Sequence, residues 1–327
     1  MKEVRSQESG ARSHSDEWLL STEYFLVKLY CRAVQSVEFT TSLALGMVAF
    51  PIALAAPVSA LQVRVTPANP QLGDTLSVVV QLDNPAGSKA SLPSSPTLAF
   101  GQKTYPTFLI APNQFRAFLP TTPLDKAGTK LLRVTSDAQV QNLSVLVRNH
   151  SFPMQRITLP PGKSGLDATE YEMSRVATFK QLETPEKFWN GPFLKPNQGA
   201  ITTIYGVRRA YNGVLAKDYY HRGIDYAGAE GSPVIAPAAG RVALVGRVSQ
   251  GFRLHGNCVG IDHGQGVTSI FMHLSRINVK EGDFVQAGQV IGAVGSTGAA
   301  TGPHLHWGLY VQGKSVDPVP WRNHKFN

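Results

Sequence analysis

Thirty glycines and 22 prolines are spread along the 327 residues of this chain, a density that excludes a coiled coil and favours short elements joined by turns. Residues 61 to about 149 show what those elements are. Leu61-Gln62-Val63-Arg64-Val65-Thr66 alternates with period two, as a half-buried strand does, and further runs follow at 75–82, 97–100, 115–119, 130–135 and 140–147. Turns are signalled at Asn69-Pro70, Gly73-Asp74, Asn84-Pro85-Ala86-Gly87, Ala111-Pro112-Asn113 and Lys126-Ala127-Gly128. Short strands at this spacing predict an immunoglobulin-like β-sandwich over residues 61–149. It holds no cluster of His, Cys or carboxylates, so a spacer or adhesive module is expected there rather than a catalytic one.

Residues 150–190 read as a connector. Pro153, Pro160 and Pro161 keep its first part extended, and Asp167 is placed to cap a short helix running through Met173 to about Phe179. Gly191-Pro192-Phe193-Leu194-Lys195-Pro196 opens a second domain, residues 191–327, again of short strands broken by glycines, at 233–236, 240–245, 258–262, 267–272 and 304–310. The expected fold class is all-β. At 43% hydrophobic and 16% charged residues the chain is too apolar to be disordered, and it is long enough for two cores.

Only one long apolar run is present, which excludes a polytopic membrane protein. Over residues 40–60 it reads TTSLALGMVAFPIALAAPVSA, without a charge, and ends in Val58-Ser59-Ala60, small residues at the positions a signal peptidase requires. Residues 1–60 are read as a leader and export signal cut after Ala60, which places the remainder in the periplasm or cell envelope. An uncleaved membrane anchor is the other reading, since the run is just long enough to span, although Pro51 and Pro57 are awkward in such a helix. Residues 1–39 carry six acidic side chains, so either the leader is unusually long or translation starts downstream. Cys31 lies in no lipobox, and no lipid anchor is expected.

Removing the leader takes away five basic and six acidic residues and leaves 26 against 16, a formal charge of +10. Cys258 is then the one cysteine, so no intramolecular disulfide is available. A basic exported protein points to an anionic polymer as partner. Nucleic acid is not expected, because no helix-turn-helix, RNP or zinc-finger pattern occurs.

Six of the nine histidines, His221, His255, His263, His273, His304 and His306, fall within 86 residues, a concentration that invites a metal. In a strand, His304 and His306 project to one face while Leu305 points to the core. In His221-Arg222-Gly223-Ile224-Asp225, glycine and a β-branched residue argue against a helix. A loop histidine followed by a strand aspartate is expected instead, with Gly223 letting the backbone bend so that imidazole and carboxylate meet. Two imidazoles and a carboxylate suit zinc with a fourth position open. Asp225 has a plainer reading too, as a turn residue or an ion-pair partner of Arg222.

His221-Arg222-Gly223-Ile224-Asp225, Phe271-Met272-His273-Leu274-Ser275 and Gly302-Pro303-His304-Leu305-His306-Trp307, in this order and at these separations, closely resemble the motifs of LytM/lysostaphin-type zinc endopeptidases of bacterial cell walls. Ile204-Tyr205-Gly206-Val207-Arg208, Gly231-Ser232-Pro233-Val234-Ile235-Ala236-Pro237 and Ile261-Asp262-His263-Gly264 match as well, and the resemblance covers about residues 190–320. It implies an antiparallel β catalytic domain with one Zn2+ per chain held by His221, Asp225 and His306. His304 and His273 would stand beside the open position, and peptide cross-links of peptidoglycan would be the substrate. His304 is assigned to proton transfer and His273 to the water or the developing oxyanion. Phe271-Met272 replaces the commoner Tyr-Ala and is expected to reshape the groove wall.

The bland candidates are a structural His263, a Cys258 packed as a small hydrophobe, and Tyr205, Tyr211, Tyr219 and Tyr220 as packing or groove residues. His255 could reach the groove. Relatives of this type that lose a ligand act as non-catalytic regulators that activate other wall hydrolases, the alternative function. All three ligands are present here, which favours the enzyme, and a monomer is expected.

Overall fold

A computed structural model describes residues 61–82, 94–136, 139–158, 167–323 and 326; the expected leader and cleavage site in residues 1–60, the turn expected at 84–87, and Pro160 and Pro161 of the expected connector lie outside them. The described residues are nearly all β, in mainly antiparallel sheets. No helix among them is long and apolar enough to cross a membrane.

The upstream region contains β1 (Gln62–Thr66), β2 (Thr75–Gln81), β3 (Thr97–Phe100), β4 (Lys103–Tyr105), β5 (Phe108–Ala111), β6 (Gln114–Pro120), β7 (Gly128–Ser136) and β8 (Gln139–Val147). They form two four-stranded sheets, ordered β1-β2-β6-β5 and β4-β3-β7-β8. Leu76, Val78, Val80 and Leu119 of one sheet meet Leu98, Leu132, Val134 and Val147 of the other in a single apolar cluster. The short strands β4 and β5 carry no alternation in their sequence, because Pro106 separates them and only Phe108 of their seven residues is buried.

Strand β6 is buried on both faces. Phe115, Ala117 and Leu119 face the upstream core, while Phe118, which alternation sends to the other side, packs against Trp189, Trp321 and Phe326 at 5.9, 5.4 and 5.9 Å between ring centroids. Burying a phenylalanine side chain is worth about 1.5–3 kcal/mol, so this one residue ties the sandwich to the downstream region.

The connector is built in rather than loose. Strand β9 (Met154–Ile157) pairs in parallel with β11 (Arg208–Tyr211), whose other neighbour is β12 (Val214–Leu215). Helix α1 (Glu170–Lys180) is capped by Thr169 rather than by Asp167: the Thr169 hydroxyl accepts from Glu172 N–H at 3.1 Å and the Glu172 carboxylate accepts from Thr169 N–H at 3.3 Å. Val176 and Phe179 of α1 join Leu244, Phe252, Cys258, Ile270 and Tyr310 in a second apolar cluster.

Downstream lie β10 (Ala200–Thr203), β13 (Ile224–Ala227), β14 (Pro233–Ile235), β15 (Gly240–Gly246), β16 (Cys258–Gly264), β17 (Val267–Met272), β18 (Arg276–Ile277), β19 (Phe284–Val285), β20 (Val290–Ala293), β21 (Leu305–Val311), β22 (Lys314–Val316) and α2 (Val319–Asn323). The main sheet runs β10-β13-β21-β17-β16-β15-β19, with β22 also on β21, and β14-β20-β18 form a small second sheet. Ile224, Leu305 and Trp307 belong to the same cluster as Phe118 and Trp321, so the two strands that carry the site rest on the core the sandwich helps to build.

Candidate functional site

Strands β13 and β21 are antiparallel, and their register sets Asp225 directly opposite His306. Residues facing each other across such a pair project from one face, so a carboxylate and an imidazole meet without any loop being ordered. His221 comes from the turn before β13. Its main chain is pinned by His221 N–H to Val207 O at 2.8 Å and Gly206 N–H to His221 O at 2.9 Å, and its ring Nδ1 lies 2.9 Å from Ile204 O. The chain bends at Gly223, as expected, and the glycine also makes space there: a Cβ would sit 2.7 Å from His306 Nε2 and 2.3 Å from Trp307 O. The expected loop histidine and strand aspartate are both found.

The donor atoms converge. His221 Nε2 is 3.1 Å from Asp225 Oδ1 and 3.0 Å from His306 Nδ1, which in turn is 2.8 Å from Asp225 Oδ1. All three residues are buried. They are the one trio of His, Cys, Asp or Glu among the described residues with donor atoms grouped within 4.8 Å. Because Ile204 O can only accept, His221 Nδ1 carries the proton and Nε2 presents a lone pair. Nε2 and the Asp225 carboxylate thus face the same point, where one cation can be shared between them. Burial pushes the His306 pKa down to about 4 against the pull of Asp225, so its imidazole is neutral at pH 7. Burial also works to raise the Asp225 pKa, but the imidazoles of His221 and His306 against it outweigh that and hold the carboxyl far below its ordinary range. Two imidazoles and a carboxylate are a donor set for a divalent metal.

Two more imidazoles flank the trio. His273, at the end of β17, has its ring centroid 4.8 Å from that of His304 and 6.4 Å from that of His306. His273 Nδ1 bonds Thr297 O at 2.8 Å and His304 Nδ1 bonds Gly302 O at 2.8 Å, so each ring is fixed with its Nε2 free to take a proton. Burial drives the His273 pKa down to about 3, which keeps it unprotonated. His304 is half-buried and nearer solvent than the trio.

Other candidates fall away from this centre. The His255 ring is bonded to Glu172 at 2.6 Å, not turned to the groove. His263 bonds Ala239 O and Ser269 Oγ inside the core, as a structural histidine does. Cys258 is fully buried and its thiol is pushed up to about 12. Tyr205 and Tyr220 are buried, both bonded to Ser315 O, so these two pack rather than line a groove. Arg222 stacks over the rings of Tyr219 and Tyr220 at 5.9 and 5.1 Å rather than pairing with Asp225. Phe271 is buried in the main core, whereas Met272 is half-buried beside the α1 cluster and stands opposite His306 in the register of β17 and β21, on the face of the sheet that carries the site. The carbonyls of Ile204, Thr297 and Gly302, which orient three of the imidazoles, went unforeseen, since any residue type supplies a carbonyl.

Residues 219–318 match peptidase family M23. Over 99 residues, 30% of this chain, the sequence is 46% identical to the DD-carboxypeptidase/endopeptidase Mpg of Neisseria meningitidis serogroup B. Over 106 residues it is 42% identical to lysostaphin of Staphylococcus simulans, and over 99 residues 41% identical to the peptidoglycan DD-endopeptidase ShyA of Vibrio cholerae. The aligned part spans only 21–22% of these relatives' lengths. A crystal structure from Pseudomonas aeruginosa, described as belonging with peptidase M23, aligns with a TM-score of 0.55 at 28% identity, covering 77% of this chain and 94% of that one.

Proposed function

Residues 219–318 being a peptidase family M23 domain of the LytM/lysostaphin type, we propose that this chain is an exported zinc metalloendopeptidase that hydrolyses peptide cross-links of bacterial peptidoglycan. The observation that carries the reading is the convergence of His221 Nε2, Asp225 Oδ1 and His306 Nδ1 with two further imidazoles beside them. A domain that only regulated other hydrolases could dispense with a donor, and none is missing here.

His221, Asp225 and His306 would hold the zinc. When bound, it supplies a Lewis acid that polarises the scissile carbonyl and lowers the pKa of water to about 7. His304, fixed through Nδ1 on Gly302 O, takes the proton of the attacking water at Nε2 and passes it to the leaving amine. His273, fixed on Thr297 O and held unprotonated by burial, accepts at Nε2 from that water and orients it, rather than donating to the developing oxyanion. The buried trio is shielded while His304 meets solvent, so substrate approaches from the His304 side.

The uncharged run at 40–60, cut after Ala60, supports delivery to the periplasm or cell envelope, and the +10 remainder supports attraction to anionic wall polymers. The upstream domain, with strand order β1-β2-β6-β5 like that of strands A, B, E and D in immunoglobulin sandwiches, is proposed as an accessory module. Incubating the protein with purified sacculi and identifying the products by mass spectrometry tests the function. Cleavage within cross-links, abolished by chelation and restored by zinc, is expected; an intact sacculus after treatment with zinc-loaded protein would overturn it.

A further inference from the structure

We propose that Glu172, in the helix upstream of the matched domain, is a positioning residue for His273, acting through the loop at 253–257. This rests on the role given to His273 above. The Glu172 side chain is completely buried, at 0% exposure, and lies 47 positions before residue 219, where the family match begins. Its two oxygens accept from three consecutive backbone N–H groups, Arg253 at 2.9 Å, Leu254 at 3.1 Å and His255 at 2.7 Å, and from His255 Nδ1 at 2.6 Å. Residues 253–257 form no helix or strand, so these donors have no ladder to enter. Glu172 is what lets this loop keep its shape.

The loop passes that shape to the site. His255 O accepts from His273 N–H at 3.1 Å and Asn257 O from Leu274 N–H at 2.9 Å. Asn257 N–H donates to Thr297 Oγ1 at 3.0 Å, Ala299 N–H donates to Leu254 O at 3.0 Å, and Thr297 O takes the His273 ring at 2.8 Å. Gly256 and Gly298 bring the two loops into backbone contact, since a Cβ on Gly298 would lie 2.4 Å from Gly256 N. His273 itself has φ +65°, a left-handed conformation that a non-glycine residue keeps only when its surroundings impose it. Its main chain is imposed by His255 and its ring by Thr297, both of which answer to the loop that Glu172 anchors.

Capping α1 does not by itself require a glutamate. Glutamine serves equally in a capping box, whereas the loop needs an acceptor at both oxygens, because donors arrive at each. Glu172→Gln in the full chain therefore separates the two roles: the helix keeps its cap, and an amide NH2 is set against loop N–H groups. With zinc bound, the variant is expected to keep its metal and its KM within about twofold while kcat per folded molecule falls about 10–100-fold. Adding Glu172→Gln to His273→Ala should slow that enzyme no further. Unchanged kcat per folded molecule, lost zinc, or losses that add in the double variant would each overturn the inference. If Glu172→Gln does not fold, Thr297→Ala cuts the same link at its far end, and the same drop in kcat is expected; full turnover would overturn it. A fully active His273→Ala would instead sink the role given to His273, a different failure from a slow His273→Ala beside a full-speed Glu172→Gln.

Discussion

Two buried clusters share one apolar core and use it in opposite ways. At β13 and β21 the protein gathers His221, Asp225 and His306 with their donor atoms 2.8–3.1 Å apart. Where the sandwich meets the downstream sheet it gathers Phe118, Trp189, Trp321 and Phe326, and closes the indole N–H groups off on Thr75 Oγ1 and Phe326 O at 3.1 and 3.2 Å. The first arrangement is held by strand register and offers donor atoms to a metal; the second contributes stability and has no chemistry to perform. Substitutions in the first should change metal and turnover with little loss of fold, and substitutions in the second should do the reverse.

The largest effect expected is from His306→Ala, which leaves only His221 and Asp225 and should abolish both metal content and sacculus cleavage. His304→Ala comes next. It should retain near-stoichiometric zinc and lose about 10²–10⁴ in turnover, the contribution of a positioned acid or base. Elemental analysis and rates on both variants make the comparison, and a zinc-free His304→Ala beside a zinc-loaded His306→Ala would reverse their roles.

The site was legible where chemistry and period coincide. His304-Leu305-His306 announces a strand presenting two imidazoles on one face, and Gly223 and Ile224 deny a helix to His221 and Asp225. What the sequence could not disclose is non-local. Asp167 and Thr169 each have a glutamate three residues on, so both spell a capping box. Thr169 caps, and its partner Glu172 is the one that also receives the loop some 80 residues away. Likewise Phe115 and Phe118 of β6 look alike in sequence, yet alternation sends one to each core. The parallel pairing of β9 with β11 leaves no trace in local pattern either.

Phe118→Ala sharpens the other half of the comparison. Truncating a fully buried phenylalanine packed against three aromatic rings and leaving a cavity should cost about 3–5 kcal/mol of unfolding free energy. Turnover per folded, zinc-loaded molecule should not change. A chemical-denaturation midpoint measured alongside kcat decides it, and a large kcat loss with full zinc would show that the junction reaches the site.

The smallest effect concerns a half-buried acid at the junction. Asp317 lies between β22 and α2, with its N–H on Gly73 O at 2.9 Å. Burial, helped by the nearby Asp74, raises its pKa from 3.8 to about 6, against the opposing pull of the Val319 N–H bond and His150. A carboxyl whose folded pKa is raised binds more protons folded than unfolded, so its contribution to stability falls as pH rises from about 4 to about 6 and stays low above that. A rise of that size corresponds to about 3 kcal/mol as an upper limit. Asp317→Asn keeps the acceptor for Val319 N–H and removes the charge. It should match the wild type below pH 4 and exceed it by up to about 3 kcal/mol above pH 6, while other titrating groups cancel in the difference. Urea midpoints of the two proteins from pH 4 to 8 provide the test. A constant difference across that range would mean that Asp317 is ionised without penalty and that the junction is wetter than its aromatic lining implies.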